Sequence, residues 1–170
     1  CSYGGDKGIF GFGNDASSRT GITNLVSNAG VVASDVAGVG TARKYLAACE
    51  YGGDKGIFGF GDDGSKASMT NLVSNAGVVA SDVAGVGTAR NYIEGCGYGY
   101  DKGIMGYGDT GSSTAITNLI SNVGVVASDV AGVGTARWGL AATQYGGDKG
   151  IFGYGYITAV TNLVSNVGVV

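Results

Sequence analysis

The sequence predicts an all-β protein in which one small sheet is repeated along the chain. Three observations lead to this prediction. Similar sequence blocks recur about every 47 residues, and the apolar runs are short and rich in Val, Ile, Tyr and Phe. No stretch keeps an apolar 3.6-residue period for three turns. Helical repeats of similar length are therefore disfavoured.

Three blocks of sequence define the period. The block YGGDKGIFGFG occurs four times with small changes, beginning at Tyr3, Tyr51, Tyr98 and Tyr145. The block TNLVSNAGVV follows it, and ASDVAGVGTAR then ends at Arg43, Arg90 and Arg137, so that about 3.6 units fill the chain. We interpret residues 1–170 as a single repeat domain with units at about 3–50, 51–97, 98–144 and 145–170, the last one partial.

Each unit predicts three or four short strands in a fixed order. They are KYLAA, IFGF, NLVS and GVVA in the first units, each bounded by Gly, Asn, Asp or Ser. Unit length varies only between the second and third runs, so the four segments there are expected to be exposed loops. These segments are 14–20, 62–68, 109–115 and 156–160.

Sheets of this size in about 47 residues are typical of β-propeller blades, whose close packing also accounts for many glycines. The alternative is a β-solenoid or a fibrous sheet stack. Cys1, Cys49 and Cys96 occupy one position of the repeat, which Thr143 fills in the fourth unit. Solenoid coils would place these sulfurs about 4.8 Å apart, whereas packed blades separate them by about 10 Å, too far for a disulfide. The propeller therefore predicts three free, buried thiols.

The repeat resembles a known family. Arg43, then Leu46-Ala47-Ala48, the turn Gly53-Asp54-Lys55 and the run 57–61 together resemble the kelch repeat, and the pattern returns at 90–108 and 137–155. Two departures stand out: G-F-G or G-Y-G replaces the family's adjacent glycines, and its later Trp is missing. The repeat sequence is also similar to blade repeats in long, repetitive proteins of marine microbes and their viruses. The resemblance implies a kelch-like propeller.

The length of the array bears on its partners. Propellers have about 4 to 8 blades, and an array of about 3.6 blades would expose two apolar blade faces. We therefore expect self-association, or closure by another copy or a longer chain.

Composition argues against several kinds of site. The chain has no His, the commonest general base and a common metal ligand, and its charges recur in every unit instead of forming one asymmetric constellation. We therefore predict no enzyme, no cofactor and no metal site. Ten basic against thirteen acidic residues give a net charge of -3, which argues against nucleic acid, and no apolar run is long enough to predict a membrane span.

The recurring charges are interpreted as structural. They are expected to form Asp–Arg bridges between blades or to stabilise turns. The residues concerned are Asp35, Asp82, Asp129, Arg43, Arg90 and Arg137.

Two functions remain after these exclusions. Near identity between the units favours a structural or assembly protein, part of an extracellular or virion-associated fibre or propeller assembly. The alternative is a propeller-type binding module for a glycan or a protein, with Trp138, Tyr45 and Tyr92 as candidate ligand contacts, since an isolated indole is a typical anchor. An extracellular or virion-surface location is expected, and a cytoplasmic one stays open.

Overall fold

Four small antiparallel sheets follow one another along the chain. The computed structural model describes residues 1–156 and 158–170, and every regular element in them is a β-strand. Each sheet is a three-stranded meander in which strands adjacent in sequence pair. The strands are β1 (Ser2–Tyr3), β2 (Lys7–Asn14) and β3 (Arg19–Val26) in the first sheet, β4 (Ala47–Tyr51), β5 (Lys55–Asp62) and β6 (Lys66–Val73) in the second, β7 (Glu94–Tyr98), β8 (Lys102–Gly106) and β9 (Thr117–Ile120) in the third, and β10 (Ala141–Tyr145), β11 (Lys149–Gly153) and β12 (Thr161–Val164) in the fourth.

The all-β repeat is confirmed, while two of the predicted strands differ from the observed ones. In the second sheet the first strand begins at Ala47, after the KYL residues that were expected to open it. The GVVA run forms no regular strand and contributes isolated bridges such as Val73 to Val79, and the residues after it add bridges such as Thr70 to Val83. It therefore adds an irregular fourth edge to each of the first three sheets.

The length-variable segments are exposed only at their tips. Residues 15–18, 64–65 and 111–113 are exposed, but Ala67 and Ala115 are buried. The prediction of an exposed loop is wrong there because Ala67 pairs with Gly61 inside the sheet and Ala115 packs in the core of the third and fourth sheets. The segment 156–160 includes Ile157, which lies outside the described residues.

Side chains of one sheet enter holes above glycines of the next. Phe152 points back at the third sheet, and its Cζ lies 3.1 Å from the position that an added Cβ would take on Gly106. In the forward direction, the Sγ of Cys49 lies 2.7 Å from the Cβ position of Gly103. Any larger residue at these glycines would overlap the neighbouring sheet, so glycine is what allows the sheets to lie this close.

The turns of successive sheets are also joined. The amide of Gly52 donates a hydrogen bond of 2.7 Å to the carbonyl of Asp101 in the next unit. Beside it, the ring of Tyr51 is buried against Gly124, with Cε2 3.0 Å from that glycine's Cβ position. In the first three units the fixed Tyr (Tyr3, Tyr51 and Tyr98) is thus a packing residue between sheets.

All three cysteines are free, as predicted. Cys49 and Cys96 are buried, but Cys1 is only half-buried, although its Sγ lies 2.7 Å from the Cβ position of Gly56 in the second sheet. The prediction of three buried thiols is therefore wrong for Cys1. Burial raises the pKa of Cys49 and raises that of Cys96 to about 12, so both are neutral thiols at neutral pH.

In the described residues, no helix is long and apolar enough to cross a bilayer.

Adding one methyl group to a glycine hole should separate the sheets. An added Cβ at Gly103 meets Cys49 Sγ at 2.7 Å and the carbonyl of Glu50 at 3.0 Å. Gly103→Ala should therefore lower the free energy of unfolding by about 1–3 kcal/mol, measured by urea unfolding of dilute protein. The matched control is Gly8→Ala, at the same repeat position in the first sheet, where the nearest atom is 3.5 Å away and no loss is expected.

Candidate functional site

A buried arginine lies in each junction between sheets. Arg90 is fully buried in the segment between β6 and β7. Its guanidinium donates to the carbonyls of Tyr107 and Thr88 at 2.9 and 3.0 Å, and to Oδ1 of Asn118 at 2.6 Å. It also lies over the ring of Phe60, 4.3 Å from the centroid. Because Phe60 belongs to the second sheet and Tyr107 and Asn118 to the third, this one side chain joins both sheets.

The same arrangement recurs at the other two junctions. The equivalent partners are Phe60, Asn71 and the ring of Phe12 for Arg43, and Tyr154, Asn162 and the ring of Tyr107 for Arg137. Burial lowers the pKa of Arg43 and Arg90 to about 10, which leaves both charged at neutral pH. The carbonyls, the amide oxygen and the ring face replace the water that each cation gives up.

An aspartate stands beside the arginine at two of these junctions. Asp129 accepts hydrogen bonds from the backbone amide and hydroxyl of Thr88 and from Nδ2 of Asn118, and its Oδ1 lies 3.9 Å from Arg90 Nη1. Burial works to raise the pKa of Asp129, but the bonds from Thr88 and Asn118 outweigh it and keep that pKa below its usual range. The carboxylate thus ties the segment before Arg90 to the third sheet.

The six recurring charges are not all paired. Asp82 repeats the surroundings of Asp129, with Thr41 as its hydrogen-bond donor and Arg43 at 3.8 Å. Asp35 accepts only from Asn24, at 2.8 Å, and Arg137 has no carboxylate within 4 Å in the described parts of the chain. The structure therefore brings together two Asp–Arg pairs and leaves Asp35 and Arg137 without such a partner.

The aromatic residue in each G-F-G or G-Y-G run holds an uncommon backbone conformation. Phe60 has φ 62° and Tyr107 φ 64°, in the left-handed region that bulky residues rarely adopt. At Phe60 the ladder shifts register between Gly59 and Gly61, which is a β-bulge. The bulge aims the ring at the arginine of the following segment, so the flanking glycines were the sequence signal for this contact.

The three candidate ligand contacts lie in one row. The rings of Tyr45 and Tyr92 stack with centroids 4.2 Å apart, and Tyr92 lies 5.1 Å from Trp138. The row continues to Tyr156, stacked on Trp138 at 4.5 Å and 12°. We call Tyr45, Tyr92, Trp138 and Tyr156 the aromatic ladder. The repeat pattern did not indicate Tyr156 as a ligand contact, because the other units have an acidic or amide residue at that position.

Most ring faces in the aromatic ladder are covered. Backbone bonds from Tyr92 to the carbonyl of Tyr45 and from Gly139 to that of Tyr92 hold successive rungs together. At one end, Nζ of Lys44 lies 4.9 Å from the Tyr45 centroid. At the other end, Tyr156 is exposed. Within the aromatic ladder, the most open surface for a planar or sugar ligand is therefore at Tyr156.

Ion pairs link the variable loops of neighbouring units. Arg19 Nη2 lies 2.6 Å from Asp62 Oδ1, and Lys66 Nζ lies 3.2 Å from Asp109 Oδ1. Within the loops, Asp15 accepts from the amides of Ser17 and Ser18 at 2.9 and 2.7 Å. These acidic side chains serve as turn and bridge acceptors.

Glu94 is the carboxyl group with the most perturbed acidity. It begins β7, in the position that alanine holds in the second and fourth sheets, as Ala47 and Ala141. Burial raises its pKa to about 7, against a weaker opposing hydrogen bond from the Gly95 amide. Its protonated form is therefore favoured by folding.

The chain matches no protein-family model, and no curated protein matches it at a significant level.

Replacing the guanidinium fork of Arg90 should destabilise the stack. Lysine keeps the charge but cannot reach three acceptors and a ring face at once. We expect Arg90→Lys to cost about 2–4 kcal/mol in the free energy of unfolding, measured by urea titration. Arg19→Lys, in a partly exposed ion pair with Asp62, is the control and should change it by less than about 1 kcal/mol.

Removing the Glu94 carboxyl should alter how stability depends on pH. The folded pKa of about 7 exceeds the ordinary 4.5, so the contribution of Glu94 to stability is fully present below about pH 4.5 and is lost as pH rises through 7. Glu94→Ala should be more stable than wild type by about 2 kcal/mol at pH 8, allowing for partial solvent screening. The difference should shrink toward pH 4.5 in thermal unfolding, and an advantage independent of pH would contradict this origin.

Proposed function

We propose that the chain is a non-enzymatic structural repeat protein whose sheets are kelch-like blades of a propeller-type assembly, in an extracellular or virion-surface setting. The observation that carries this proposal is the repetition of one junction three times. The same buried arginine, glycine holes and turn bond recur between all neighbouring sheets. A chain that repeats its contacts rather than varying its surface is suited to building an array.

Strand pairing favours blades over solenoid coils. In a solenoid, equivalent strands of successive coils hydrogen-bond to each other, whereas here each strand pairs only within its own three-stranded sheet. Neighbouring sheets meet mainly through side chains, as Phe152 does above Gly106. This is the relation between packed blades.

A binding function is the second candidate. It is favoured by one observation, the exposed ring of Tyr156 stacked on Trp138 at the end of the aromatic ladder. A sugar ring or an aromatic side chain of a protein would find an apolar platform there. The covered faces of Tyr92 and Trp138 leave little room for ligands elsewhere along the row.

The two functions predict different outcomes of one set of measurements. We expect light scattering and negative-stain electron microscopy to show self-association of the 16.8 kDa chain, and a glycan array to show no binding. Glycan binding that Tyr156→Ser abolishes, in a chain that stays monomeric, would instead support the binding module. Tyr100→Ser, which removes an exposed Tyr outside the aromatic ladder, is the control.

A further inference from the structure

The first sheet carries an exposed copy of a side chain that is buried in all the other sheets. Phe58, Met105 and Phe152 occupy equivalent positions and are 3%, 0% and 0% exposed. Phe10 holds the same position in β2 and is 66% exposed. Its ring therefore projects from the outer face of the first sheet, where no other sheet of the described residues receives it.

The receiving hole has a constant composition. Phe152 enters the third sheet above Gly106 and Thr117, and its ring meets Tyr107 edge-on, with centroids 5.1 Å apart. Phe58 enters the first sheet in the same way, 5.2 Å from the ring of Phe12. Each hole thus consists of a glycine, a threonine and the aromatic residue of the bulge.

The outer face of the fourth sheet holds the same hole, and it is open. Gly153, Tyr154 and Thr161 line an apolar cavity of about 180 Å³ together with Ala142 and Ile151. Among the described residues, an added Cβ at Gly153 would meet only Thr161 Cγ2, at 3.5 Å, whereas at Gly106 the ring of Phe152 already lies at 3.1 Å. The ring of Tyr154 is exposed where Tyr107 is buried.

A second set of contacts runs in the opposite direction. Inside the array, Tyr51 covers Gly124 of the next unit, and the equivalents at the two outer faces are the partly exposed Tyr145 and the uncovered Gly30. The sulfur of Cys96 likewise fills the space over Gly150. The equivalent positions at the outer faces are Thr143 on the fourth sheet and Gly8 on the first, where the nearest atom to the Cβ position is Val26 Cβ of the same sheet at 3.5 Å.

We propose that a second copy of this chain docks head to tail, placing Phe10 of one copy in the cavity above Gly153 of the other. Phe10 fits one side, and Tyr145 and Thr143 fit the other, because each internal junction already joins the same pairs of positions. The contact rests on the proposed assembly function and specifies its geometry.

A head-to-tail contact is heterologous, so each copy keeps a free head and a free tail until a ring closes or a fibre grows. Blocking the head and blocking the tail are therefore separate operations. Phe10→Asp places a charge on the head, and Gly153→Leu fills the cavity of the tail. Gly153 has no positive φ, and the nearest atom of the described residues to its Cβ position is Thr161 Cγ2 at 3.5 Å, so the leucine is compatible with the folded chain.

The test is sedimentation velocity over a range of concentrations. The wild type should associate, and each variant alone should associate about 100-fold more weakly. An equimolar mixture of the two variants should form a complex of twice the 16.8 kDa chain mass, since one intact head then meets one intact tail. Tyr100→Asp, an exposed aromatic in a turn, should associate like the wild type. Circular dichroism and thermal unfolding establish that each variant is folded.

Each contrary result has its own meaning. Association of the wild type that Phe10→Asp leaves unchanged would overturn this contact while the assembly function stands. Two variants that each block association but fail to pair when mixed would also overturn it, because the interface would not be head to tail. A wild type that remains a monomer at every concentration would count against both the contact and the assembly function.

Discussion

The close approach of the sheets is the constraint on which the rest of the structure depends. A sulfur or a ring edge lies within about 3 Å of where a Cβ would stand on Gly103 or Gly106, so the sheets reach this distance only because those positions lack side chains. Dispersion between closely packed atoms then extends over the whole face of each sheet. The many glycines are therefore part of the packing between sheets as well as of the turns.

Close packing also determines what the junction contains. A guanidinium such as that of Arg90 loses its water, and this is tolerated because three oxygens and the ring of Phe60 surround it. The uncommon φ of Phe60 is maintained for the same reason, since the ring is held between the arginine and the adjoining sheet. Strain at the bulge and burial of the charge are thus two parts of one contact.

Much of the fold was predictable because the 47-residue repeat can be recognised directly in the sequence. The all-β class, the middle strand with its IFGF run and the free thiols followed from repetition and spacing. The start of the first strand at Ala47 and the irregular GVVA edge did not, because apolar composition does not say which residues find a hydrogen-bonding partner. The burial of Ala67 and Ala115 could not be predicted either, because it depends on pairing within the sheet and on the neighbouring sheet.

The candidate site divides in the same way. The sequence by itself determined that Arg90 and Asp129 recur at fixed positions and that Tyr45, Tyr92 and Trp138 follow the arginines, because these are properties of a repeat. Only the tertiary structure decided that the aromatic residues stack on one another, with Tyr156 as the last rung, and that Phe10 is left exposed opposite an open cavity at Gly153. The physical reason is that the burial of a ring, or the filling of a cavity, depends on the sheet that packs against it, and that sheet is distant in sequence.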